Sequence, residues 1–209
     1  MANSNWTMPV MAVSQAIASP SPVAWLKLFF KNEEDLNLYR YVALVASLIL
    51  FHYSMTGFIG PGSLRGKIFT PLFMEENFKT EHERHFGETT AKDLPKGGYP
   101  DMGSGRYSDK LSYKDWYNFN KSQRIHYHFL ESVTCVICWL LIAGIRYPIP
   151  AIAFGAGYIL GRIIFHLGYQ IKGPRGRTLG FLLQLLCSVT LFGFAFASCI
   201  EASAKTTMP

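Results

Sequence analysis

Trp116-Tyr117-Asn118-Phe119-Asn120-Lys121-Ser122-Gln123-Arg124-Ile125-His126-Tyr127-His128-Phe129-Leu130-Glu131 runs without a break into the apolar stretch Val133–Gly144. Read as one helix, it places Arg124, His128 and Glu131 at i, i+4 and i+7 on a single face, which Cys135 and Cys138 continue. Ionisable groups leading into a membrane-length apolar run are costly unless they are paired or meet water or a ligand. This stripe is the first candidate for function.

Composition decides which solvent the helix sees. Charged residues make up 16% of the 209 residues and aromatic ones 15%, and the apolar residues are bunched, which is a membrane composition. The net charge of +6 raises the possibility of nucleic acid, but no basic helix or aromatic-basic platform accompanies it. The expected fold is an all-α membrane protein, a four-transmembrane-helix up-down bundle with spans over 38–60, 116–145, 149–171 and 179–200. Each apolar run is about 20 residues or more, enough at ~1.5 Å per residue to cross a ~30 Å hydrocarbon core. Gly60-Pro61-Gly62 is expected to end the first span, and Arg146-Tyr147-Pro148-Ile149-Pro150 reads as a short turn.

The connections are uneven. Residues 1–37 form a tail whose first 24 residues carry no charge, unlike a secretory signal or a transit peptide. Trp25–Lys31 is a short amphipathic segment suited to a bilayer surface, and Asn5-Trp6-Thr7 matches the glycosylation pattern, which needs a lumenal N-terminus to be used. Residues 61–115 form a long polar loop, 172–178 a short basic one, and 201–209 a C-terminal tail. The two loops carry nine and three Lys/Arg, which assigns them to the cytoplasmic side. So long a connection is expected to hold structure of its own, with a helix over Thr70–Phe86.

Two patterns invite metal or redox readings. Glu81-His82-Glu83-Arg84-His85 holds two histidines at i, i+3, but a di-iron site needs further pairs on other helices, which the other four histidines do not supply. It reads as a solvated, charge-paired helix face. Cys135-x-x-Cys138 has no second pair, so it reads as packing, like Cys187 and Cys199. No metal is expected. His52, inside the first span, reads as a bundle-facing or interfacial histidine.

A second polar stripe lies in the third span, where Arg162, His166 and Tyr169 stand at i, i+4 and i+7 with Phe165 beside them. Gly155, Gly157 and Gly161 on the same helix allow close packing. One reading is a salt bridge from Glu131 to Arg162 or Arg124 that fixes helix register. The other is a pocket: several bases, one carboxylate and a phenol, with Arg175 and Arg177 at the same end, suit a small anionic ligand bearing an ammonium group.

The run Phe119-Asn120…Gln123-Arg124…His128-Phe129-Leu130-Glu131, then Gly161-Arg162…Phe165…Gly168-Tyr169 and a basic loop, resembles the MAPEG family, the membrane-associated proteins of eicosanoid and glutathione metabolism. It is most like the microsomal glutathione S-transferase 3 branch, over about residues 95–200 and including Tyr99-Pro100. The resemblance implies a homotrimer with glutathione as co-substrate, bound between subunits at the cytoplasmic end. It implies that Arg124, His128, Glu131, Arg162, Phe165 and Tyr169 line the glutathione site, Glu131 holding the glutamyl ammonium and the arginines the carboxylates. It also implies an arginine just after the third span that stabilises the thiolate. Simple counting falls on Gly176, between Arg175 and Arg177, and Arg177 is the preferred assignment. A thiol of pKa ~8.5 is mostly protonated at neutral pH, and a nearby guanidinium favours the anion.

Three positions depart from the family pattern: His128 stands for an asparagine, Ser132 for a tyrosine and Phe165 for a tyrosine. The expected function is a membrane-bound glutathione transferase or peroxidase acting on lipophilic electrophiles that enter from the bilayer. The alternative is a non-catalytic accessory or structural subunit of a larger membrane complex, binding lipid or glutathione without turnover. Either is a multi-pass integral protein of the endoplasmic reticulum or an organellar membrane such as the mitochondrial one.

Overall fold

A computed structural model describes residue 30, residues 32–88 and residues 93–206. In chain order the helices are α1 (Glu33–Gly57), α2 (Ser63–Ile68), α3 (Pro71–Phe86), α4 (Tyr113–Arg146), α5 (Pro148–Lys172) and α6 (Thr178–Thr206). Among the described residues there is no strand. Four helical segments are long and apolar enough to cross a membrane: Glu33–Ile68, Tyr113–Arg146, Pro148–Arg175 and Thr178–Ala202. The protein is an all-α, multi-pass membrane protein. Leu182, Leu186, Val189, Phe192 and Phe196 of α6 are exposed, a row that is costly in water and natural in lipid. Asn5-Trp6-Thr7 and, Phe30 excepted, Trp25–Lys31 lie outside the described residues.

Local chemistry sets the helix ends. Ser112 caps α4: its Oγ accepts from the Asp115 N–H at 3.2 Å and donates to Asp115 Oδ2 at 2.7 Å. Pro148 and Pro150 do not extend the turn. They occupy the first turn of α5, where the missing N–H groups would have had no helical partner, so Tyr147 alone separates α4 from α5. Gly60-Pro61-Gly62 does not end the first helix either. Phe58–Gly62 is a π-helical turn joining α1 to α2, and the Ser63 N–H donates to Phe58 and Gly60 carbonyls. Pro61 cannot donate and crowds the preceding turn of an α-helix; the wider turn accommodates it and lets the helix continue.

The chain divides into two compact units. The first takes the described residues through Ala46, with Val136–Ala156 and the chain from Cys187 onward. Small residues make it tight: a Cβ at Gly144 would stand 2.6 Å from Val42 Cγ1, and one at Gly155 2.7 Å from Val45 Cγ1. Tyr39 Oη donates to the Leu141 carbonyl at 3.4 Å, and the Tyr147 hydroxyl donates to Glu201.

The second unit, Ser47–Cys135 with Gly157–Leu186, holds the polar loop and both polar stripes. Thr70 caps α3, accepting from the Phe73 N–H at 3.2 Å. The buried side chains of Phe69, Met74, Phe78 and Leu94 close on Phe119 of α4 and anchor the loop. Gly98, at φ +67°, lies against the Phe69 ring, where a Cβ would be 2.5 Å from Cγ. Arg65, buried, reaches the loop: Nη1 donates to the Gly97 carbonyl at 3.1 Å and Nη2 to that of Asp101. The Asp101 carboxylate in turn accepts from the Gly103 and Ser108 N–H groups at 2.7 Å each, from Gly105 at 3.0 Å and from the Ser108 hydroxyl at 2.7 Å. Burial pushes its pKa up, but these four donors outweigh it and hold the carboxyl below the usual value.

Candidate functional site

The α4 stripe is present, but its members do different things. Arg124 Nη1 donates to Glu131 Oε1 at 2.9 Å, and both side chains are about half exposed, 47% and 55%. The ion pair therefore lies along one helix and joins no two helices, so it does not act as the register-fixing bridge that was one expectation. His128, half-buried between them, turns inward instead.

Arg162 of α5 is almost wholly buried, with 1% exposure. Its Nη1 donates to His128 Nδ1 at 2.8 Å and to Gln184 Oε1 at 3.2 Å, and Nη2 donates to the Ile125 carbonyl at 3.0 Å. Its guanidinium also lies 4.1 Å from the ring centre of Phe129 and 4.8 Å from that of Phe165. Among the described residues no carboxylate forms an ion pair with it. The two Nη groups of this buried guanidinium thus meet neutral acceptors and its faces meet aromatic rings, while Nε has no hydrogen-bond partner. Because arginine has no acceptor, His128 must present an unprotonated Nδ1 to it.

Glycines make this cluster possible. A Cβ at Gly161 would stand 2.8 Å from the Gln184 backbone nitrogen, so glycine there lets α6 approach closely enough for Gln184 to meet Arg162. Gly180 makes the same close approach against Phe165, and Gly168 against the Gly176 carbonyl. The His128 ring stacks on Phe165 with centroids 4.5 Å apart, and Ser132 Oγ lies 2.8 Å from Tyr158 Oη. Two of the three departures are therefore absorbed by neighbours: His128 by Arg162 and Phe165, Ser132 by Tyr158.

Tyr169, buried, joins Ile125 and Phe165 in a small cluster. The Arg177 guanidinium lies 5.8 Å from its ring centre, whereas Arg175 is exposed and contributes its carbonyl to Thr178 at 3.1 Å. Beside Tyr169 a cavity of about 260 Å³ opens, lined by Trp116, Tyr117, Lys121 and Arg124 among others. Lys121 Nζ donates to the Gln170 carbonyl at 2.9 Å. Of the residues expected to line one pocket, Arg124 and Tyr169 line this cavity. Glu131 is tied to it through Arg124, and Arg162, His128 and Phe165 form the packed interior. Gln184 and Tyr158 are the partners that sequence reasoning missed. Gln184 carried a signal, as the one amide in the 179–200 run. Among the described residues no group of three or more His, Cys, Asp or Glu could hold a metal ion.

Four membrane-length helices, the buried Arg162 and a cationic cavity at the polar end of α4 and α5 define a helical membrane protein with an ionic site. The family model of the MAPEG family matches residues 41–197, and the chain belongs to that family. The match extends further back than the resemblance over about 95–200, taking in most of α1 and the polar loop. At the level of the family this supports a membrane function related to glutathione transfer or eicosanoids. No solved structure matches the chain.

Proposed function

We propose that the protein binds glutathione at the cavity beside Tyr169 and conjugates it to, or uses it to reduce, lipophilic electrophiles. The observation that carries this reading is the exposed Arg124–Glu131 pair on a membrane helix next to a cavity lined by Lys121 and Tyr169. An exposed ion pair facing lipid is costly, so this face is suited to water, a charged ligand or a second copy of the chain. Glu131 offers a carboxylate to the glutamyl ammonium, and Arg124 and Lys121 offer donors to the two carboxylates. Arg177, over Tyr169, is the group proposed to favour the thiolate, with Arg175 as the other candidate. With an epoxide, the sulfur–carbon bond forms as the ring carbon–oxygen bond breaks, and the alkoxide takes a proton from water. A homotrimer would complete the site with a neighbouring subunit.

A non-catalytic reading is favoured by one observation: the Ser132 hydroxyl is engaged by Tyr158, and Phe165 has no hydroxyl, so of the positions expected to carry a phenol Tyr169 alone supplies one at the cavity. One titration separates the readings. Detergent-purified protein is mixed with glutathione, and bound ligand, thiolate absorbance and conjugation of an epoxide are followed. The transferase reading expects all three signals, with Arg177→Ala abolishing the thiolate and Arg124→Ala weakening binding about tenfold or more. Binding without thiolate or turnover gives the accessory reading. No binding of glutathione by the wild type refutes the transferase reading and leaves the accessory reading only as a lipid-binding or structural subunit.

A further inference from the structure

The cavity beside Tyr169 has one lining residue to which no role has been given. Asn120, half-buried, stands one helical turn outward of Arg124 on the same face of α4, on the side away from Glu131. Both hydrogens of its amide are engaged: Nδ2 donates to the Gly103 carbonyl at 2.8 Å and to the Trp116 carbonyl at 3.0 Å. Two carbonyl partners fix which end of the amide is nitrogen, and they leave Oδ1 as a spare acceptor. Among the described residues none donates to that oxygen.

The grip on Asn120 comes from the polar loop. Gly103 donates its own N–H to Asp101 Oδ1 at 2.7 Å, so the carbonyl that holds Asn120 stands on the frame that Asp101 ties down. Gly103 lies at φ +110°, and a Cβ there would stand 2.8 Å from Asn120 Oδ1, so glycine leaves that oxygen uncovered. The rest of the cavity is rich in donors. Lys121 and Arg124 can only donate, and no carboxylate lines the wall. Apart from the hydroxyls of Tyr117 and Tyr169, Asn120 Oδ1 is the one side-chain acceptor among the lining residues. A ligand with anionic groups alone meets Lys121 and Arg124 and gives Asn120 nothing. The last residue of a peptide carries an N–H and a carboxylate on either side of one carbon, and so matches the adjacent Asn120 and Lys121 together.

We infer that Asn120 is a further ligand-binding residue: its Oδ1 accepts from the glycyl N–H of glutathione while Lys121 takes the glycyl carboxylate. This seats the glycine end of the tripeptide outward, against the polar loop, and the glutamyl end inward, toward Glu131. The inference rests on the glutathione reading of the cavity and adds the direction in which the ligand lies. It also makes Asp101 and Gly103 positioning residues, acting on the ligand through Asn120.

The test titrates full-length protein in detergent with two ligands by calorimetry. One is glutathione; the other is γ-glutamylcysteinyl-sarcosine, in which a methyl group replaces the glycyl amide hydrogen and both carboxylates remain. The wild type is expected to prefer glutathione about tenfold. Asn120→Leu should weaken glutathione by about three- to tenfold and leave the sarcosine analogue within about twofold, erasing most of the preference. Asn120→Ala gives the same reading where the leucine variant does not fold. Equal weakening of both ligands would mean that Asn120 only holds the loop, and would overturn the inference. A wild type that binds the two ligands equally would overturn it as well, with the glutathione reading left standing. If the wild type binds neither, the glutathione reading of the cavity fails and the inference falls with it.

Discussion

His128→Leu should destabilise the protein by an amount set by two contacts. Arg162 Nη1 has two side-chain acceptors, His128 Nδ1 at 2.8 Å and Gln184 Oε1 at 3.2 Å, and its side chain is 1% exposed, so no bulk water replaces the nearer one. A hydrogen bond to a charged group contributes about 1.5–3 kcal/mol. The stacked contact with Phe165 at 4.5 Å adds about 0.5–1.5 kcal/mol. Leucine keeps the bulk but offers neither, so the loss is about 2–4 kcal/mol, or roughly 4–16 °C in the midpoint for a chain of this size. His128→Asn restores an acceptor and loses only the ring, and should recover most of the difference. Far-ultraviolet circular dichroism of the micelle-bound protein during heating reads all three. Combined with Gln184→Leu, His128→Leu should cost more than the two singles added, because Nη1 then has no side-chain acceptor. A His128→Leu midpoint equal to wild type, or an asparagine variant as unstable as the leucine one, would refute the assignment of His128 as the acceptor for Arg162.

Arg124→Ala should leave the midpoint nearly unchanged, because an ion pair with both members about half exposed contributes less than about 1 kcal/mol; a large drop would mean that the pair is structural after all. Gly168→Ala should destabilise by about 1–3 kcal/mol, because its Cβ would overlap the Gly176 carbonyl, which is backbone and cannot swing aside. Gly193→Ala, with nothing within 4 Å of the added carbon, should be neutral or stabilising by up to about 1 kcal/mol in the same thermal scan. Asp101→Asn should loosen the loop. The Asp101 carboxyl titrates below its unfolded value of ~3.9, so its stabilisation is complete above that pH and lost as pH falls through the folded pKa. Hydrogen exchange of the Gly103 and Ser108 amides should thus separate wild type from variant at neutral pH, with the difference shrinking as pH falls below about 4 and vanishing only below the folded pKa.

The four spans are legible in the sequence because an apolar run is a one-dimensional property: Val133–Gly144 or Leu179–Ile200 needs no knowledge of its neighbours to be too apolar for water. The prolines mislead because their effect depends on position in a turn. Pro61 sits in a widened turn that continues the helix, and Pro148 and Pro150 sit where no N–H is needed. The same division runs through the candidate site. The Arg124–Glu131 pair follows from a seven-residue spacing within one helix, whereas the partners of Arg162 come from two other helices, at residues 128, 125 and 184. What brings them together is the loss of side chains at Gly161 and Gly180, which the sequence displays only as small residues.

His128 is the place where the two kinds of information meet. By sequence it departs from an asparagine; by geometry its Nδ1 gives a buried arginine the kind of acceptor that an amide oxygen would, while its ring stacks on Phe165 where the pattern has a tyrosine. The two departures are thus physically coupled. Restoring the phenol with Phe165→Tyr while His128 remains would put a hydroxyl on a ring that is fully buried. His128→Asn made alone keeps the acceptor but leaves the space of the imidazole ring unfilled. In the double variant the smaller amide vacates room for the added hydroxyl and can hydrogen-bond to it. The double change should therefore cost less than the two single changes added, and a thermal scan of the three variants in which the effects simply add would break the link between these positions.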